Sequence, residues 1–302
     1  MIKLENMTIK ETTEMVGGTE QLLQEMLEKF RGWLQQQNHL PQEIPDNRLR
    51  SLLLNSKFNL ETAKKRLDLL YTLHTLCSDF FGNYDPLSEE ITQVHKCMQW
   101  VHLPKLTPTK CRVIITRLIN TDSSLLHPVD VFKYYLMLLD LRIDEDLVNS
   151  EIFIWDAADV TINHLVKYTP TVLKKYDLCL EAYGLRFKKN IHYNAPTYID
   201  HILSLIKIFM KAKIYNRIQV FQRGIEELNE IVPKSILPVD YGGEELSMES
   251  LTDMWRAKLM ERRNWLLEQE KLKTNESLRS DHVIDENKLF GVSGTFRKLD
   301  ID

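Results

Sequence analysis

Long apolar runs are missing from this chain. Nowhere do about 18 consecutive apolar residues occur, so no membrane-spanning helix is expected. The greasiest stretch, residues 198–210, is interrupted by Asp200, His201, Ser204 and Lys207. An excess of positive charge is missing too. Lys and Arg number 39 against 43 Asp and Glu, a net charge of −4, which excludes the basic footprint of a general nucleic-acid binder. Cysteine is scarce and unpatterned. Cys77, Cys97, Cys111 and Cys179 show no C-x-x-C spacing and read as buried thiols of a cytoplasmic protein, not as disulfide or zinc ligands. The opening Met1-Ile2-Lys3-Leu4-Glu5-Asn6 has no apolar core of a secretory signal.

Catalytic signatures are equally thin. No G-x-x-x-x-G-K-[ST], no G-x-G-x-x-G after a strand, no G-x-S-x-G and no H-E-x-x-H occurs. No cofactor, metal or catalytic nucleophile is therefore expected. His192 and His201 flank a turn and read as satisfied or surface histidines. Asp156 and Asp159 follow a predicted strand, where α/β proteins often place functional carboxylates. A strand end and a helix cap is the simpler reading of that pair.

What is present is an α/β pattern. Leu22, Leu23, Met26, Leu27, Phe30 and Leu34 form a helical stripe, and residues 48–54 and 59–76 follow as helices, the last with Asn59 as N-cap. Residues 81–86 (Phe-Gly-Asn-Tyr-Asp-Pro) are breakers and mark a boundary. This divides the chain into a helical module at 1–83, a central domain at 84–249 and a C-terminal helix and tail at 250–302. In the central domain, strands are expected at 111–118, 151–156, 186–193 and 217–221. Helices are expected at 128–141, 161–183 and 198–210. Strands alternating with helices imply a mainly parallel sheet. Ser250 and Asp253 suit a capping box for a helix over 250–273.

The stretch from Leu185 to Glu244 carries the most information. A basic strand, Arg186-Phe187-Lys188-Lys189-Asn190-Ile191-His192-Tyr193, precedes an Asn194-Ala195-Pro196 turn and the apolar helix. Lys211, Lys213 and Arg217 then restore positive charge, and Leu237-Pro238-Val239-Asp240-Tyr241-Gly242-Gly243-Glu244 closes the segment. Periodicity alone leaves two readings of the helix open, a buried core helix or one touching a cavity on one side and lipid on the other.

These residues resemble the CRAL-TRIO family, in its tocopherol-transfer and retinaldehyde-binding branch, over about residues 19–252. Leu49–Ala63 is similar to the family's helical leader, and Ile191–Pro196 and Leu237–Glu244 carry the most specific matches. The ending Gly294-Thr295-Phe296-Arg297-Lys298-Leu299-Asp300 resembles insect members. The resemblance implies a non-enzymatic carrier of a small hydrophobic ligand (a retinoid, tocopherol, carotenoid or similar lipid). Its sheet floors an apolar cavity and a gate helix, here residues 196–211, closes it. Implied lining residues are Phe132, Tyr135, Leu139, Phe153, Trp155, Tyr168, Cys179, Ile202 and Phe209. Tyr135 and Leu139 replace small hydroxyl residues of the tocopherol-transfer pocket, which implies a different cargo.

The same resemblance implies reversible, peripheral docking on phosphoinositide-containing membranes. Lys213 and Arg217 match two headgroup positions. Upstream, one register selects Arg186 and Lys188, the other Lys189, because one residue must be gapped in this strand. A cytoplasmic monomer that binds no nucleic acid is expected. Two other readings remain open, a phosphoinositide-binding interaction module without cargo and a lipid-modifying enzyme using Asp156 or Asp159.

Overall fold

The computed structural model describes residues 2–199, 203, 216–221, 225–280 and 290. The chain begins with helices α1 (Ile9–Met15), α2 (Glu20–Leu34), α3 (Asp46–Asn55) and α4 (Leu60–Leu76). Asn59 caps α4 as its sequence suggests, its side-chain oxygen accepting from Thr62 N at 2.9 Å. Leu23, Leu27, Phe30 and Leu34 of α2 pack on Leu49, Leu52 and Leu53 of α3 and on Ala63 and Leu67 of α4. Short helices α5 (Ser78–Phe81) and α6 (Glu89–Cys97) lead into the sheet.

The sheet is five-stranded, in the order β1 (Met98–Leu106), β2 (Arg112–Leu118), β3 (Glu151–Asp156), β4 (Phe187–Tyr193) and β5 (Ile218–Val220). β2 to β5 pair in parallel, and β1 runs antiparallel along the edge of β2. The crossover from β2 to β3 is α7 (Pro128–Glu145), and that from β3 to β4 is α8 (Ile162–Leu165) with α9 (Pro170–Tyr183). Beyond β5 come α10 (Ile225–Ile231), α11 (Met248–Glu261) and α12 (Arg263–Gln269).

Several boundaries differ from the sequence reading. β1 was not foreseen, because it continues from α6 without a breaker residue. Its register with β2 shifts between His102 and Leu106. The buried Arg112 guanidinium serves the carbonyls freed there, donating to Leu103 O at 2.9 Å and Pro104 O at 2.8 Å. Pro104, which cannot donate to a ladder, is tolerated at this edge. The helix expected over 161–183 is two helices, since Thr169 caps a fresh start at Pro170. The C-terminal helix starts earlier, with Ser247 rather than Ser250 as N-cap, and breaks at Arg262.

A buried polar cluster joins the N-terminal helices to the sheet domain. Arg48 of α3 meets Asp140 of α7 at 2.5 Å, and the hydroxyls of Tyr84 and Tyr183 donate to the same carboxylate at 2.9 and 2.7 Å. Removing one partner strands the other charge in the core. Asp140→Ala is expected to lower the unfolding free energy by about 3–5 kcal/mol in urea titrations. A loss under about 1 kcal/mol, the scale of an exposed pair, would mean that this cluster does not secure the junction.

Candidate functional site

Strand alternation and register build one wall of a cavity. Trp100 pairs with Thr116, Thr116 with Trp155, Trp155 with His192 and His192 with Val220, a row crossing all five strands. The next row runs from Phe153 through Asn190 to Ile218. Residues two apart share a face, so these rows form a continuous floor. β4 achieves this by a bulge. Glu151 opposes Phe187 while Ile152 opposes Lys189, which leaves Lys188 as an extra residue. Without it, Phe187 and Asn190, three positions apart, would face opposite ways. With it, Phe187, Asn190 and His192 all line the cavity.

Helices supply the other walls: Phe132 from α7, Leu165 from α8, Tyr168 from the link, and Leu173, Tyr176 and Leu180 from α9. Phe132 and Tyr176 are stacked with ring centroids 3.9 Å apart and planes 8° from parallel. The cavity volume is about 210 Å³. Its described lining is aromatic and aliphatic apart from Thr116, Asp177, Asn190, His192 and the tyrosine hydroxyls. Thr116 is satisfied internally, donating to Gln99 O at 3.1 Å.

Of the lining residues expected from sequence, Phe132, Phe153, Trp155 and Tyr168 meet at this cavity. Tyr135, Leu139 and Cys179 are fully buried but are not among the residues that line it. The Tyr135 ring backs onto Trp100 and Tyr176, 4.6 and 5.8 Å away, and those two rings reach the cavity. Ile202 and Phe209 lie outside the described residues. From the expected gate, Ile199 and Leu203 line the cavity and cluster with Ala195 against Trp155, Ile218 and Val220. The approach to that segment is fixed: Tyr198 OH donates to Val160 O at 2.8 Å, and Asn194, at φ 51, donates from its amide to Asp156 at 3.0 Å.

Sequence reasoning missed Trp100 with its strand, and Tyr176, whose helical stripe carried no chemical signal. Asn190 and His192 were legible by alternation from one another, but the bulge hid their common face with Phe187.

Asp156 points away from the cavity, since Phe153 and Trp155 of the same strand face it. Its carboxylate accepts from Ala158 N, Asn194 and Tyr241 OH at 3.1, 3.0 and 3.0 Å. The Leu237–Glu245 segment thus locks the opposite face of the sheet, and Arg117 adds an ion pair to Asp240 at 2.8 Å. Both glycines are required there. Gly242 has φ 65, and a Cβ on Gly243 would fall 1.9 Å from Leu237 O. Asp159 is exposed.

The basic candidates separate into two kinds. Arg186 donates to Leu54 O and Asn55 O at 3.2 and 3.0 Å, and Arg217 donates to Phe187 O, so both guanidiniums are engaged with backbone. Lys188, on the bulge, is exposed and Lys189 half-buried. Lys213 lies outside the described residues. Ile162 at the start of α8 and Val166 just past its end, both within one turn of the cavity-lining Leu165, are 55% and 69% exposed. Among the described residues, no helix is long and apolar enough to cross a membrane.

Residues 98–243 match the model of the CRAL/TRIO domain, and residues 19–91 that of a Pinta-like UBA domain. The chain thus carries a CRAL/TRIO domain over residues 98–243. It is 26% identical over 226 residues to the alpha-tocopherol transfer protein-like protein of Homo sapiens, covering 74% of this chain and 65% of that one. Clavesin-2 of Rattus norvegicus is 27% identical over 136 residues, 44% of this chain and 41% of its own length. The chain thus spans a little under two thirds of the length of the first of these relatives. The crystal structure of Sfh5 superposes with a TM-score of 0.52 at 12% identity, over 86% of this chain and 99% of that one, a likeness of fold. The CRAL/TRIO match covers all five strands and the helices that wall the cavity.

Burial depresses the pKa of His192 to about 4, and that of His74, stacked on Phe81 at 4.0 Å, also to about 4. Unfolded, each would titrate near 6.5. Between those values the unfolded chain binds more protons, so the stabilisation is complete above about pH 6.5 and is lost as pH falls towards 4. Urea titrations are expected to register a loss of a few kcal/mol across that window, with a shallower slope in His74→Phe. Flat stability from pH 6.5 to 4 would mean that neither imidazole is held neutral by its surroundings.

Proposed function

We propose that the protein binds one small hydrophobic molecule in this cavity and carries it between membranes, without a covalent step. The observation that carries the reading is the cavity itself, about 210 Å³ bounded by large side chains from five strands and three helices. Protein interiors are otherwise close-packed. A gap of this size costs its lining the packing contacts that an occupant would supply. An apolar occupant recovers that cost and gains roughly 25 cal/mol per Å² of surface withdrawn from water. The name of the alpha-tocopherol transfer protein-like relatives points the same way.

Transfer requires contact with lipid, and two features beside the cavity suit it. Ile162 and Val166 present apolar side chains to solvent within one turn of the wall. Lys188 and Lys189 supply positive charge on the strand that floors the cavity, and Lys213 would add to them. Docking is reversible and peripheral in this reading, with phosphoinositides or other anionic lipids as the surface. A pure interaction module would have no use for a cavity lined by aromatic side chains, which favours the carrier.

Native mass spectrometry of the purified protein should detect one co-purified apolar molecule per chain. A protein that stays empty and binds none of a panel of retinoids, tocopherols and fatty alcohols would sink the carrier reading. For docking, Lys188→Ala combined with Lys189→Ala is expected to weaken binding to phosphoinositide vesicles roughly tenfold at low salt and less at high salt. Unchanged binding at low salt would remove this strand from the docking surface.

A further inference from the structure

Two polar atoms of β4 on the cavity floor have no protein partner. Asn190 Oδ1 and His192 Nδ1 are buried and make no hydrogen bond. Both line the cavity, and His192 is only 7% exposed. They share one face of β4, about 6.6 Å apart along the strand. Their surroundings are apolar: Phe153 and Ile218 flank Asn190, and Trp155 and Val220 flank His192. The His192 ring meets Trp155 edge-on at 5.0 Å. Buried polar atoms in folded proteins are nearly always paired, and an unpaired one is costly. Trp100 Nε1, at the β1 end of the same floor, is also unpaired, but the two neighbouring atoms on β4 mark where a polar atom of the occupant belongs.

Charge narrows what that atom is. No Lys or Arg is among the described lining residues, and the one acidic side chain there is Asp177. Burial keeps the His192 imidazole neutral down to about pH 4. A neutral imidazole offers one N–H and one bare nitrogen, and the Asn190 amide offers a carbonyl acceptor. A hydroxyl serves both residues, donating its proton to Asn190 Oδ1 while accepting from the imidazole N–H. An ether only accepts, which leaves Asn190 Oδ1 unsatisfied. A carboxylate also only accepts, and it brings a negative charge into a cavity with no described counter-ion.

We infer that Asn190 and His192 hold an un-ionised hydroxyl of an otherwise apolar cargo and discriminate against the corresponding carboxylate. The inference rests on the carrier reading and adds the cargo's polar group to it.

The test is calorimetric titration of the full chain with 1-dodecanol, dodecyl methyl ether and dodecanoic acid, at a pH where the acid is ionised. The alcohol should bind about tenfold more tightly than the ether and the acid, the scale set by one buried group left unpaired. In Asn190→Leu, alcohol and ether should come within about twofold of each other, with the ether still bound. Acid or ether binding as tightly as alcohol to the unaltered chain would overturn the inference alone, the latter meaning that a water serves these atoms. A preference for alcohol that survives in both Asn190→Leu and His192→Phe would overturn it too. If none of the three binds, the inference fails, and the panel of retinoids and tocopherols decides separately whether the carrier reading fails with it.

Discussion

Everything about this cavity depends on one extra residue in β4. A strand's side chains alternate, so a shift of one position moves the whole set to the other face. Lys188 is that position. It lets Phe187 join Asn190 and His192 on the cavity face, while Ile191 and Tyr193 pack into the opposite layer. It also lifts a lysine into solvent at the edge of the floor. One bulge therefore sets both the lining of the cavity and the position of a charge beside it.

The rest of the fold keeps that face open. The row from Trp100 to Val220 crosses the whole sheet, and helices carrying Phe132 and Tyr176 stand over it without filling the gap. Stability comes from elsewhere. Asp140 gathers Arg48, Tyr84 and Tyr183 at the junction of the helical module. Arg112 ties the start of β2 to Asp146 and to the irregular edge of β1. On the far side, Asp156, Tyr241, Arg117 and Asp240 bind the Leu237–Glu245 segment to the sheet. A frame held by buried polar contacts on its outer layers leaves the apolar face of the sheet to line a cavity, which is the arrangement the proposed carrier needs.

Much of this was legible in the sequence. The parallel strands β2 and β3 stood out as short runs rich in β-branched residues, β4 as a basic strand before a turn, and α2 and α4 as clean helical stripes. Phe153 and Trp155 declared a common face by spacing alone. β1 did not stand out, because Trp100 and His102 alternate with residues equally buried and no turn separates the strand from α6. The bulge was visible only as a one-residue misfit in the basic strand, and its meaning required the register with β3. Tyr135 and Leu139 occupy positions that the family resemblance assigns to the pocket, yet Trp100 and Tyr176 reach the cavity in front of Tyr135. Volume decides that order, and volume is a property of the packed ensemble of side chains rather than of any one position.

The central claim is that this space is a cargo site, and a crystal structure of the protein with its co-purified molecule tests it most directly. The account predicts one ligand lying between the sheet row at Trp155 and His192 and the stacked rings of Phe132 and Tyr176. A cavity filled by the protein's own side chains, or a ligand bound away from this floor, would contradict it.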